Sequence, residues 1–369
     1  MSAIKIVIVT NLYPLPWQST RGMFNFQQFS LLAKKMDVFL LVPVAFPDWY
    51  KHRNQVEKND RVKIVPYFYL PKFGRRFYGK LMTWSLKLSA GKWLKNISPD
   101  KVLASWAYPD AVAALDLAKK INADFYLKVH GSDINMHASY PARAKQIVRM
   151  ANRAKGILSV SKDLANKMVR LGVNRSLIKV IYNGVNLEKF KPVAGTEKCN
   201  EIIFIGNLKR EKGVLELLDG FAKIAEKHPE IVLNYIGGGP MLTTLKNKVA
   251  SLNLNNRVNF LGVLSHQELP GIIAKAKILA LPSYNEGVPN VILEAMACGT
   301  TVVATSVGGI PEVVTSDTAI LSEEISADGV AKALDSAITS SWSQTKIRAH
   351  AEQFSWQRNI EQLTQLLNR

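Results

Sequence analysis

Residues 281–299 read LPSYNEGVPNVILEAMACG. An apolar run closes at Leu281, a loop follows, and a helical pattern begins, with Pro289 expected as its first residue, where a missing N–H costs nothing. The residues Gly287, Val288, Pro289 and Asn290 then present backbone N–H groups at a helix N-terminus, a natural site for a diphosphate. Glu286 precedes the helix and Glu294 lies about one turn inside it, so the two do not share a helix face. Carboxylates in those places can accept hydrogen bonds from vicinal hydroxyls, one set from a sugar and one from a ribose. They also fit a plainer reading, a solvated loop glutamate and a first-turn glutamate favoured by the helix dipole. Spacing alone leaves both open.

Outward from this segment the same grammar repeats. Apolar runs of strand length occupy 4–9, 38–42, 102–104 and 125–129, then 202–205, 232–236, 258–261, 278–281 and 301–304. Helical patterns lie between most of them, among others 24–35, 109–120, 142–153 and 214–227. Short, continuously apolar strands alternating with helices imply parallel sheets covered on both faces, an α/β architecture. Asn183-Gly184 turns the chain, and the stretch 191–198 has linker composition. The expected organisation is a first domain over 1–185, a linker over 186–200, a second domain over 201–350, and a closing segment 351–369. In that last segment Ile360, Leu363 and Leu367 form one apolar helix face that packs back on the first domain.

Two further turns carry chemistry. The turn 205–213, IGNLKREKG, follows a strand and precedes a helix, which puts it at the carboxyl edge of a sheet. Lys212 or Arg210 could there neutralise a leaving diphosphate, or either could be a solvated cation. Val129-His130-Gly131-Ser132-Asp133 ends another strand, and His130 could reach a ligand or serve structure only. Gly22 opens the first helix and would allow close backbone approach.

The apolar fraction of 47% and charged fraction of 21% exclude disorder. Two cysteines, Cys199 and Cys298, are too few for a disulfide framework and fit a reducing compartment. No run approaches the roughly 18–20 apolar residues of a membrane span, and the start lacks a signal-peptide layout. The expected location is the cytoplasm, at the inner face of the plasma membrane. There is no P-loop, paired-cysteine zinc spacing, Asp-x-Asp or G-x-S-x-G, so no metal and no cofactor is expected. Residues 1–190 hold 31 Lys and Arg against 11 Asp and Glu, whereas residues 191–369 hold 17 against 18. One basic half implies an anionic partner on that half: lipid, a diphosphate-linked acceptor or nucleic acid.

Together these segments resemble glycosyltransferase family 4, retaining enzymes of the GT-B fold, in which two Rossmann-like domains with parallel sheets face each other across a cleft. The resemblance rests on Glu286 to Glu294 as the E-x-seven-E motif, the basic turn 206–213, and His130-Gly131-Ser132-Asp133. Ser159-Val160-Ser161, Tyr182-Asn183-Gly184-Val185 and the 308–314 phrase GGIPEVV support it. It implies that Glu294 contacts the ribose of a UDP- or GDP-type donor, Lys212 its diphosphate, and Glu286 the transferred sugar. The backbone of residues 287–290 would assist, His130 would reach the sugar from the first domain, and Gly22 would lie near the phosphates or the acceptor. Retention by front-face attack, with the leaving phosphate taking the acceptor proton, is implied too. One departure is Asn207, where many relatives carry Arg; either Arg210 supplies that charge or Lys212 works alone.

Residues 71–95 combine Lys72, Arg75, Arg76, Lys80, Lys87, Lys92 and Lys95 with Phe73, Phe77, Tyr78, Trp84 and Trp93. Cations beside Trp and Phe suit an interfacial segment on anionic lipid, so the acceptor is expected to be lipid-linked or a glycan at a membrane. Lys72, Arg75, Arg76, Lys80 and Trp84 are its candidate contacts, unless the aromatics simply face the core. The rival readings are an epimerase-like enzyme of the same fold, a catalytically dead scaffold and a nucleic-acid-binding protein. No recognised module supports the last, and no nucleic-acid partner is expected.

Overall fold

The computed structural model describes residues 4–69, 77–193, 195 and 197–368. The chain divides into two compact units, Met1–Tyr182 with Asn359–Arg369, and Asn183–Arg358.

Unit 1 holds β1 (Lys5–Val9), β2 (Asp37–Ala45), β3 (Val62–Tyr67), β4 (Lys101–Ser105), β5 (Asp124–Val129), β6 (Gly156–Ser159) and β7 (Ile178–Val180). They form one parallel sheet in the order β3-β2-β1-β4-β5-β6-β7. Burial on both faces explains the continuous apolar runs: Ile6 to Val9 of β1 are wholly buried, and β4 is nearly so. β3 sits at the edge, which is why it tolerates Pro66, a residue with no N–H for a further strand. The helix Trp356–Leu367 sends Ile360, Leu363, Leu366 and Leu367 into this core, each worth about 1.5–3 kcal/mol of apolar burial. Tyr126 donates its hydroxyl to the Leu367 carbonyl at 3.1 Å.

Unit 2 holds β8 (Cys199–Ile205), β9 (Val232–Ile236), β10 (Val258–Gly262), β11 (Ala276–Leu281), β12 (Thr301–Thr305) and β13 (Ala319–Ser322). Its parallel sheet runs β10-β9-β8-β11-β12-β13. Both sheets therefore reverse strand order beside the first strand of the unit, between β1 and β4 and between β8 and β11. At such a reversal the loops leave the carboxyl ends in opposite directions and open a crevice for ligand.

The expected strands appear in place, with ends shifted by at most three residues. The 202–205 run extends back to Cys199, and 38–42 extends to Ala45. β3, β6, β7 and β13 were not among the expected runs. Three of these are short, and β3 mixes charge and proline into its pattern, so none presents a long apolar run. Pro289 is corrected by one residue. It caps the helix Asn290–Ala297 with extended ψ 124°, so the first helical residue is Asn290. The cap places Pro289 outside the hydrogen-bonded turn, where its ring meets no preceding carbonyl.

Candidate active site

In unit 2 the basic turn follows β8 and the Glu286 loop follows β11, on the two sides of the reversal. Arg210–Lys212 form a 3₁₀ turn, and Gly213 then opens the helix Val214–Ile224 in the left-handed region at φ 66°. A Cβ on Gly213 would lie 1.8 Å from the Pro282 carbonyl oxygen, so the two loops are in backbone contact there. Tyr284 N–H donates to the Glu211 carbonyl at 3.0 Å and fastens the same pair of loops. The result brings Lys212 Nζ to 2.5 Å from Glu286 Oε1, with the carboxylate side chain only 10% exposed.

Arg210 is turned elsewhere. Its Nη2 lies 3.1 Å from Glu216 Oε1, which also accepts from the Tyr284 hydroxyl at 2.8 Å. The Arg210 side chain is 62% exposed. Glu294, on the first turns of its helix, is buried and accepts at Oε1 from His266 Nε2 at 3.0 Å. Lys189 Nζ meets His266 Nδ1 at 2.7 Å. Lysine is donor-only when charged, so Nδ1 accepts and Nε2 donates, and the ring holds one carboxylate oxygen in place. Asn183 donates to Asn290 Oδ1 at 2.9 Å and approaches the Val288 carbonyl, while Gly309 N–H donates to the Gly287 carbonyl at 2.9 Å. Gly287, Val288 and the first helical residue, Asn290, are thus held beside Glu286.

In unit 1 the matching edge carries His130, directly after β5. Asp133 accepts the N–H groups of His130 and Gly131 on one oxygen and that of Ala107 on the other, at 2.9–3.0 Å, tying the loops after β4 and β5 together. The half-buried imidazole lies 5.1 Å from the Phe24 ring and 6.1 Å from Trp106, and its Nε2 is 2.9 Å from Ser105 Oγ. Burial, reinforced by Lys128 nearby, holds the His130 pKa well below its ordinary value, so the ring is neutral at pH 7. Gly22 caps the helix Met23–Leu32 at φ 61°, and a Cβ there would stand 2.4 Å from the Leu12 carbonyl. Asp110 is fully buried and accepts from Asn11 N–H at 3.0 Å, and burial raises its pKa to about 7.

The family model described as Glycosyl transferases group 1 matches residues 186–354, and that described as Glycosyltransferase Family 4 matches residues 30–189. The chain belongs to the group 1 glycosyltransferases. Among its relatives, Bacillus subtilis TuaC, named as a teichuronic acid biosynthesis glycosyltransferase, is 26% identical over 363 residues, covering 90% of this chain and 88% of its own. N-acetyl-alpha-D-glucosaminyl L-malate synthase of Bacillus anthracis is 31% identical over 241 residues, 61% of this chain and 62% of its own. Anabaena HepE, solved with UDP and glucose, matches with a TM-score of 0.77 at 19% identity over 99% of each chain. That likeness establishes the fold, which is the GT-B fold of glycosyltransferases.

Within this glycosyltransferase, Lys212, Glu286 and residues 287–290 come together in one loop pair, with Glu294 on the helix that follows. Arg210 is paired away from Glu286. The residues missed in the sequence are those that hold the others: Glu216, Tyr284, Lys189, His266 and Asn183 in unit 2, and Ser105, Asn25 and Lys128 in unit 1. Apart from Arg210, six residues from Glu216, their side-chain partners lie 13 or more residues away, and only Asn183 and Tyr284 fall in motif segments singled out above. Among the described residues no group of three or more His, Cys, Asp or Glu converges as a metal site.

Lys72, Arg75 and Arg76 lie outside the described residues. Lys80 and Trp84 stand on the helix Tyr78–Ile97, both on its outer face, with Trp84 57% exposed beside Leu88 at 68%. Trp93 turns the other way, packing edge-on to Phe39. The aromatics therefore divide between core and surface. No described helix is long and apolar enough to cross a membrane.

Proposed function

We propose that this glycosyltransferase moves a sugar from a nucleoside-diphosphate sugar, with retention of configuration, to a lipid-linked or glycan acceptor at an anionic membrane surface. The observation that carries the reading is the Lys212–Glu286 pair at the β8/β11 reversal, beside a helix N-terminus and the buried Glu294. A cation, a helix N-terminus and two carboxylates are what a diphosphate flanked by two polyols requires. Lys212 neutralises the leaving diphosphate, with the N–H groups near Gly287, Val288 and Asn290 sharing its charge. Glu286 accepts from sugar hydroxyls and Glu294 from the ribose. On unit 1, His130 meets a substrate hydroxyl and Gly22 admits a phosphate or the acceptor close to the backbone.

In the transfer, the acceptor oxygen forms its bond to the anomeric carbon as the bond to the phosphate oxygen breaks on the same face. The acceptor proton passes to the departing phosphate oxygen, so no separate side-chain base is needed, and Lys212 supplies positive charge in place of a metal. HepE was solved with UDP, which makes uridine the first base to try.

The donor assignment is tested by thermal shift against UDP, GDP and ADP. At 100 times Kd one nucleotide should stabilise the protein by about 2.7 kcal/mol. Glu294→Ala should remove that shift while leaving the unliganded melting temperature within a few degrees. A wild-type protein stabilised by none of the three, or a Glu294→Ala variant stabilised as well as the wild type, counts against the site. Product analysis without an acceptor separates transfer from epimerisation.

The membrane assignment is tested by flotation. The protein should rise with phosphatidylglycerol vesicles and stay behind with phosphatidylcholine. Lys80→Ser with Trp84→Ser should lower the bound fraction severalfold, since each basic residue at an anionic surface is worth about 1 kcal/mol. Equal recovery with both lipids would end this part of the reading.

A further inference from the structure

Lys128 is wholly buried in the centre of unit 1, on β5, two residues before His130. Its Nζ donates to two neutral amide oxygens, Asn25 Oδ1 at 3.1 Å and Gln28 Oε1 at 2.5 Å, and lies 5.6 Å and 5.5 Å from the rings of Phe24 and Phe29. A buried ammonium hydrogen-bonded only to amides is costly, and a sugar-binding fold has no general need of it.

The polarity of the surrounding hydrogen bonds explains the residue. Asn25 Nδ2 donates to the Leu12 carbonyl at 2.9 Å and to Thr10 Oγ1 at 3.4 Å. A carbonyl can only accept, so the amide is locked with Oδ1 turned inward. On the other side Asn359 Nδ2 donates to the Tyr182 carbonyl at 2.7 Å, which turns Asn359 Oδ1 towards Gln28 Nε2 at 2.6 Å and Gln28 Oε1 towards Lys128. Two amide chains, each anchored on a backbone carbonyl, therefore aim acceptors at one point. Only a residue with at least two hydrogens to give satisfies both. Burial lowers the Lys128 pKa to about 7, with Asp133 opposing. Its ammonium carries three hydrogens and its amine two, so the pattern survives either state.

The chain continues to His130. Ser105 Oγ lies 3.1 Å from Asn25 Oδ1 and 2.9 Å from His130 Nε2. With Asn25 Oδ1 fixed as an acceptor, the serine proton points to it, since two facing lone pairs at that distance would repel. Ser105 Oγ then has only a lone pair for the imidazole, so Nε2 carries the ring proton. We propose that Lys128 is a positioning residue that, through Asn25 and Ser105, fixes His130 as the Nε2–H tautomer and leaves Nδ1 as a hydrogen-bond acceptor. The part concerning substrate rests on the reading that His130 meets a hydroxyl: a sugar hydroxyl would donate to Nδ1, and a carbonyl or phosphate oxygen would be refused.

Imidazole nitrogen NMR of protein labelled with ¹⁵N-histidine tests this without any substrate, the His130 signals being assigned by their loss in His130→Asn. The expected spectrum at pH 7 shows Nε2 bearing hydrogen and Nδ1 bare. Lys128→Met and, with the lysine kept, Ser105→Ala should each convert this to a mixture of tautomers. The Ser105 variant removes only one oxygen, and so decides the matter if Lys128→Met does not fold. A wild-type ring protonated on Nδ1, or a Ser105→Ala ring unchanged from wild type, overturns the proposal. In sugar transfer, Lys128→Met should lower kcat/KM by roughly tenfold, the worth of one neutral hydrogen bond. Added to His130→Asn it should lower it no further; a further tenfold loss also overturns the proposal. Absence of transfer with every donor, beside the expected spectrum, would refute the functional reading and leave the tautomer assignment standing.

Discussion

Lys212→Ala should reduce the release of nucleoside diphosphate from the donor by roughly 10²–10³ in kcat/KM, the usual cost of losing one preorganised charge at a leaving group. Lys212 is held by the Glu286 carboxylate at 2.5 Å, so its position is set before any ligand arrives. As the anomeric bond breaks, negative charge grows on the phosphate oxygen, and a cation about 4 Å away offsets about 4 kcal/mol per unit charge at an effective dielectric of about 20. Arg210→Ala is the informative comparison. Its guanidinium is 62% exposed and bonded to the buried Glu216 rather than to Glu286. It should lose less than tenfold, which would also answer whether Arg210 stands in for the arginine that Asn207 lacks. Lys212→Ala leaves Glu286 uncompensated at 10% exposure, so Lys212→Ala with Glu286→Gln separates a misfolded loop from a lost charge. Should Lys212→Ala stay within threefold of wild type, the diphosphate assignment fails.

Gly213→Ala should destabilise unit 2 by roughly 3–5 kcal/mol, because two mechanisms act at one atom. The residue lies at φ 66°, where an L side chain is strained by about 1 kcal/mol or more, and the new Cβ would be 1.8 Å from the Pro282 oxygen. That oxygen belongs to backbone, so relief requires the turn after β8 to part from the loop after β11. For a domain of this size the melting temperature should fall by on the order of 10 °C. Gly271→Ala is the control. It sits in the helix Leu269–Lys275 with open space where a Cβ would go, and should stabilise by up to about 1 kcal/mol. A Gly213→Ala protein melting within 2 °C of wild type would show that the loops part freely, and would remove the reason given for the closeness of Lys212 and Glu286.

The segments legible in the sequence were those whose chemistry is local. The run ending at Leu281 is a central strand buried on both faces, so its apolar pattern is continuous and the loop after it is easily placed. β3, at a sheet edge, needs no such pattern and carries Lys63 and Pro66 instead. Glu286 and Lys212 can each be singled out by position in a turn, but their pairing joins residues 74 apart and follows only from how β8 and β11 adjoin. Lys128 shows the limit most sharply. It lies within the 125–129 run, where a lone lysine among apolar neighbours reads as one more charge in a basic half. Its burial depends on Asn25, Gln28 and Asn359, drawn from two remote helices. In the helix Tyr78–Ile97 the helical period would have divided Trp84 from Trp93, since nine residues turn about two and a half times and place them on opposite faces.

The polar chain through Lys128 also orders events during synthesis. Asn359 closes it, and Leu363, Leu366 and Leu367 complete the core around it, yet all four are made after the whole of Asn183–Arg358 has been translated. Unit 2 is a single uninterrupted stretch and can condense as soon as it leaves the ribosome. Unit 1, begun first, lacks the Gln28–Asn359 bond and part of its apolar core until residues 359–367 have been made. Gln28 thus depends on a partner made 331 positions later.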